Sequence, residues 1–168
     1  MADFDDLMRT LGGMPTNITS HMERAVRRAG VRVMGSVKGK LGRYQTGWPK
    51  LKPATVKRKL TVKRGRSAGS ISRAGRRHLA EHGQWATGTD ADAPLVDMGL
   101  YRGSITMDIR DSGMTAAIGT DKIQGPTLEF GRDQIPARPH FRPALHENEE
   151  TIKQEFANAL RRAFSGGR

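Results

Sequence analysis

Residues 104–119 read Ser104-Ile105-Thr106-Met107-Asp108-Ile109-Arg110-Asp111-Ser112-Gly113-Met114-Thr115-Ala116-Ala117-Ile118-Gly119, and they decide the fold class. The first seven alternate polar and apolar side chains, the pattern of a half-buried strand. Asp111-Ser112-Gly113 supplies the small residues of a tight turn. Thr115 to Gly119 follows as a second strand, so the stretch predicts an antiparallel hairpin. A third strand is expected at Thr127 to Phe130, ending at Gly131.

Helices flank this hairpin on both sides in sequence. Downstream, Pro143 to Phe164 carries Leu145, Ile152, Phe156, Ala159, Leu160 and Ala163 at helical spacing. Glu147, Glu149 and Glu150 lie near its start and Arg161 and Arg162 near its end, as the helix dipole favours. Upstream, Thr16 or Asn17 can cap a helix whose apolar positions are Ile18, Met22, Ala25, Val26, Ala29, Val33, Val37 and Leu41. Gly30, Gly35 and Gly39 each weaken it by roughly 1 kcal/mol, so it should fray after Gly35 unless a neighbouring backbone packs there. Asp3 to Leu11 reads as a separate short acidic helix, stopped at Gly12-Gly13 and Met14-Pro15. The expected architecture is α+β: a small antiparallel sheet packed with a long N-terminal helix and a C-terminal helix, plus a basic flexible loop or arm. It forms a single domain over 1–168, with an N-terminal segment at 1–15.

Between these elements, Gly42 to Pro53 is extended, because residues before proline avoid helix. Trp48 and Leu51 are its anchors, and a short helix follows at Ala54 to Leu60. Residues 61–92 have few apolar side chains and read as a basic loop or insertion. Order returns at Pro94, with Leu95 and Leu100 as core candidates and Asp97-Met98-Gly99 as a turn or helix start. Ile135 to Pro143 is proline-laced and stiff, with Pro143 suited to a first helical position.

The chain has 168 residues, 36% of them hydrophobic and 5% aromatic, which allows only a modest core. No apolar run reaches the roughly 20 residues of a membrane-spanning helix. The acidic start is unlike a signal peptide. Zero cysteines exclude disulfides, thiolate metal sites and cysteine nucleophiles, and fit a reducing compartment. The net charge is +12, yet it is unevenly placed: Arg24 to Ala80 holds 18 basic residues and no acidic one, while the remainder holds 11 basic and 17 acidic. The candidate contacts are Lys57, Arg58, Lys59, Lys63, Arg64, Arg66, Arg73, Arg76 and Arg77. Glycine and serine separate them, with no aromatic stacking platform. Three readings stand: a solvated loop, an arm that docks on an acidic protein surface, or phosphate contact with DNA.

The chain offers little chemistry. Gly39-Lys40 and Gly65-Arg66 lack the spacing of a phosphate-binding loop. His78 and His82 would share a helix face, but Leu79 stands where a zinc helix needs glutamate, and solvated loop histidines are the expectation. Asp90, Asp92 and Asp97 show no sign of the shielding that acid–base work requires. Ser104 has no histidine near it in sequence. No catalytic residue, metal or cofactor is expected.

Five segments, taken in order, resemble a known family. They are Trp48-Pro-Lys-Leu-Lys-Pro-Ala-Thr-Val-Lys-Arg-Lys59, Leu95-Val-Asp-Met-Gly-Leu-Tyr-Arg-Gly-Ser-Ile105, Ala117-Ile-Gly-Thr120, Leu128-Glu-Phe-Gly131 and Ile135-Pro-Ala-Arg-Pro-His-Phe-Arg-Pro-Ala-Leu145. Together they look like the tail-completion and virion-morphogenesis proteins of tailed bacteriophages, the head–tail neck family. The resemblance spans roughly residues 44–60 and 94–164. Met98 departs from the family's threonine, and Gly125-Pro126 stands in place of its aromatic–alanine pair.

The resemblance implies a structural protein of the virion neck or tail end, assembled in the host cytoplasm. It would form a homo-oligomeric ring, sixfold or a multiple, that helps join the tail tube to the capsid connector. Its partners would be itself, the tail terminator or tube, and the connector, with no membrane and no small-molecule substrate. Trp48, Phe130, Pro136, Arg138, Pro139, Phe141 and Arg142 are the candidate subunit-interface residues, since a preorganised proline-rich segment loses little entropy on docking. The plainer reading of the Ile135 to Pro143 stretch is a core-closing linker into the last helix, and that of Trp48 is core, which is the better expectation. The basic segment would reach an acidic neighbour or the packaged DNA. The alternative is a basic nucleic-acid-binding protein that uses Arg24 to Arg77.

Overall fold

The computed structural model describes residues 4–62, 68–83, 92–97 and 99–165, with side chains from residue 18 onward except that of His82. Among them run α1 (Phe4–Lys40), α2 (Pro53–Lys59), α3 (Arg73–His82), α4 (Leu100–Ser104), β1 (Ile105–Arg110), β2 (Thr115–Thr120), α5 (Gln124–Phe130) and α6 (Phe141–Ser165). The protein is α+β, with a two-stranded antiparallel sheet, a long N-terminal helix and a C-terminal helix. The chain divides into two compact units.

The first unit comprises Met1–Val37, Ile105–Thr120 and Phe141–Arg168. β1 pairs with β2 so that Ile105 faces Thr120, Met107 faces Ile118 and Ile109 faces Ala116. Exposure alternates along β1, from fully buried Ile105 to exposed Arg110, as the sequence pattern requires. Two strands alone are marginal in water, and α1 covers them. A Cβ on Gly30 would fall 2.5 Å from Met107 Sδ and 2.9 Å from Ala116 Cβ, so only glycine lets helix and hairpin meet this closely. At the hairpin turn Gly113 has φ 92°, and a Cβ there would meet Glu23 Cγ at 2.6 Å. The backbone conformation demands glycine, and a Cβ would in addition displace the Glu23 side chain. Ala25, Val26, Ala29, Val33 and Val37 form the buried stripe of α1, and Ala144, Ala159 and Ala163 that of α6. Arg28 Nε reaches Glu155 Oε2 at 2.9 Å and ties the two helices at their surface.

The second unit comprises Lys38–Ser104 and Asp121–His140. Pro53 opens α2, where its missing N–H costs nothing. Ser72 caps α3, its Oγ accepting from Gly75 N–H at 3.0 Å, and left-handed Gly83 closes it. A Cβ on Gly75 would lie 2.7 Å from the Leu60 carbonyl oxygen, so α3 packs directly against the end of α2.

Several elements differ from expectation. α1 is unbroken from Phe4, through Gly12-Gly13 and Pro15, because extending a helix already anchored by a buried stripe costs far less than starting one. It does not fray at Gly35, where nothing packs; buried Val37 and Leu41 hold its last turns instead. Residues 73–82, expected within a loop, form α3, whose buried contacts are His78 and Gly75 rather than aliphatic side chains. Thr127 to Phe130 is not a strand but the end of α5, with Gly131 N–H donating to Thr127 O at 2.9 Å in helical fashion. Pro143 is the third residue of α6 rather than the first, a position whose N–H has no helical partner either.

Candidate functional site

Within the second unit, four of the five quoted segments are stitched together by hydrogen bonds. The extended run before α6 lies at the centre. Trp48 Nε1 donates to Pro139 O at 3.3 Å, and Arg138 Nη2 donates to Pro49 O at 2.9 Å. Arg138 N–H donates to Leu128 O at 2.7 Å, joining the run to α5. His140 N–H donates to Glu129 Oε2 at 2.8 Å, a charge-assisted bond. The imidazole of His140, fully buried, meets Tyr101 edge-on, with Nε2 2.8 Å from the phenol oxygen.

The tautomer follows from the partners. Nδ1 lies 2.9 Å from Arg138 O and 3.2 Å from Glu129 Oε2, both acceptors, so Nδ1 carries the proton. Nε2 then accepts from the Tyr101 O–H. Burial holds the His140 pKa below its usual 6.5, against the opposing pull of the Arg138 carbonyl and the Glu129 charge. Burial, with the Glu129 carboxylate, pushes the Tyr101 phenol up to about 12. The imidazole is thus neutral with both nitrogens committed, and Nε2 has no lone pair left for a substrate proton.

Asp92 organises a second buried cluster. Tyr44 O–H donates to Asp92 Oδ2 at 3.1 Å while its oxygen accepts from Leu51 N–H at 2.9 Å. Burial raises the Tyr44 pKa, countered by the Leu51 N–H and supported by the Asp92 carboxylate. Lys59 Nζ donates to Asp92 O at 2.5 Å and also to Ala93 O. His78, 3% exposed, has Nε2 3.9 Å from Asp92 Oδ1. Asp92 is therefore shielded, and His78 is a core residue, contrary to the loop positions expected for both.

The interface candidates divide in two. Trp48 and Arg138 are buried framework, and Pro139 is half-buried with its carbonyl engaged. Phe130 is 60% exposed and Pro136 is exposed. In the first unit, Phe141 is half-buried and Arg142 exposed. Of the cationic candidates, Lys57, Arg58, Arg73, Arg76 and Arg77 are exposed, whereas Lys59 turns inward to the carbonyls of 92 and 93. Lys63, Arg64 and Arg66 lie outside the described residues, as does Asp90. Sequence reasoning missed Tyr101, Glu129, His140, Tyr44 and Asp92 as structural centres. All but Tyr44 and Asp92 stood inside the quoted segments.

A groove of about 860 Å³ opens beside the stitched segments. Leu51, Leu95, Leu100, Leu128 and Ile135 give it apolar walls, and Arg138 also lines it. Among the described residues, no group of three acidic or histidine side chains could hold a metal, and no helix is long and apolar enough to cross a membrane. No family model, curated protein or solved structure matches the chain.

Proposed function

We propose that this protein is a structural component of a tailed-phage neck, a tail-completion protein that assembles as a ring and helps join tail tube to capsid connector. The observation that carries the reading is the stitching of the quoted segments. Motifs distant in sequence meet through Trp48–Pro139, Arg138–Pro49, Arg138–Leu128, Glu129–His140 and Tyr101–His140. These bonds build one frame, and it leaves Phe130, Ile135 and Leu100, the last expected in the core, exposed on its outside. Rigid apolar surface suits repeated docking. The saturated hydrogen bonding of His140 supports a non-catalytic role. Co-sedimentation tests the reading: the protein should travel with purified tails, and Phe130→Asp should release it. Failure of the native protein to bind tails or itself would refute it.

A second reading has its own support. In the first unit, Arg24, Arg27, Arg28 and Arg32 are exposed on α1 around Val31, which is 53% exposed. Half-buried His21 sits beside this patch, and its pKa is lowered by desolvation and by the charges of Arg24, Arg162 and Arg28. Such a patch fits a duplex backbone. Affinity for duplex DNA that falls steeply with salt, and that charge reversal of Arg27 and Arg32 abolishes, would favour nucleic-acid binding.

A further inference from the structure

The groove of the second unit carries more charge than its framework uses. Leu100 and Ile135 in its walls are 71% and 48% exposed. Lys50, Lys52 and Arg58 stand exposed around them, outnumbering the one carboxylate of the lining, Asp97. Arg138 lines the same groove, only 6% exposed, and its Nε–H has no hydrogen-bond partner. Burial lowers the pKa of this guanidinium, the mark of a cation short of counter-charge. An apolar trough with a cationic rim and an unsatisfied buried donor is complementary to an acidic, apolar segment.

The chain itself contains one. Asp3-Phe4-Asp5-Asp6-Leu7-Met8-Arg9-Thr10-Leu11 has three carboxylates against one cation, and its sequence spaces Phe4, Leu7, Met8 and Leu11 as i, i+3, i+4 and i+7. That is the spacing by which a helix presents anchors to a groove. α1 runs as one helix from Phe4 to Lys40, and the ring reading calls for a contact between copies. We propose that residues 3–11 of one copy dock in the Leu100–Ile135 groove of the next. The contact joins two different surfaces, and such head-to-tail pairing generates rings when its rotation closes. This inference rests on the ring reading and names its contact.

Charge exchange in the full-length protein tests it. By sedimentation velocity, Asp5→Lys with Asp6→Lys should weaken self-association by about two- to thirtyfold, and so should Lys52→Glu with Arg58→Glu, as loss of two screened pairs implies. All four changes in one chain should restore association towards the native level. A fluorescent peptide of residues 1–12 should bind the native protein and not the Lys52→Glu, Arg58→Glu variant. Lys52 and Arg58 are exposed and outside the buried framework, so their double variant should leave circular dichroism unaltered. Native-like assembly of both double variants would overturn this contact while leaving the ring intact through another surface. A native chain that stays monomeric, binds no peptide and ignores tails would overturn both.

Discussion

The two units are held together by different physics. The first relies on small apolar side chains at close quarters: Ala25, Ala29, Gly30, Ala144 and Ala159 let helices and hairpin approach, and Ile105 is its largest fully buried side chain. The second buries Tyr101, His140, Glu129, Arg138 and Asp92, and its order comes from a few directional hydrogen bonds. Apolar packing is tolerant and distributed. Buried polar networks fix one arrangement and fail when a single partner is lost.

Substitutions should separate the two. Ile105→Ala, which opens a cavity in the first unit, should cost about 4 kcal/mol by urea unfolding. Tyr101→Phe keeps volume and removes one buried O–H donor, so its cost should be about 1.5 kcal/mol. Its signature lies elsewhere: the nitrogen NMR shift of His140 Nε2, which loses its donor, should move while that of Nδ1, still bonded to Arg138 O, should not. Arg28→Ala breaks only a half-exposed ion pair and should change stability by less than about 0.5 kcal/mol, and less again at high salt. If Arg28→Ala proved more damaging than Tyr101→Phe, the contrast between the units would be wrong.

Acid should act on the second unit through His140. Its folded pKa lies below the unfolded 6.5, so between those values the unfolded chain binds the extra proton. Stability then rises with pH through this window and is lost as pH falls from 6.5 towards the folded pKa. At the other extreme, Tyr101 ionises near 12 when folded and near 10 when unfolded, so stability should decline as pH rises above 10. Tyr101→Phe should flatten the alkaline limb, and an NMR titration should place His140 below 6.5.

This division also explains what could be read in advance. The hairpin, the stripe from Ile18 to Leu41 and the C-terminal helix were legible from apolar periodicity, and α6 (Phe141–Ser165) lies close to the expected Pro143 to Phe164. Its buried face differs, because Ala144, Ala159 and Ala163 are buried while Leu145 and Leu160, expected in the buried stripe, are exposed. Thr127 to Phe130 was misread because four residues cannot distinguish strand from helix, and what decides is the burial of Glu129 against the His140 N–H. α3 escaped notice because its anchors are His78 and Gly75, neither of which an apolar count registers, although Ser72 and Gly83 mark both its ends. Trp48 was open between core and interface; its 8% exposure and bond to Pro139 make it framework. The residues that tie the second unit stood in the quoted segments, but their mutual contacts are long-range and polar, and no local pattern encodes them.

The most direct test of the proposed neck function is electron microscopy of particles assembled without this protein. Filled heads and complete but unattached tails are the expected result. Intact, joined virions in normal number would contradict it.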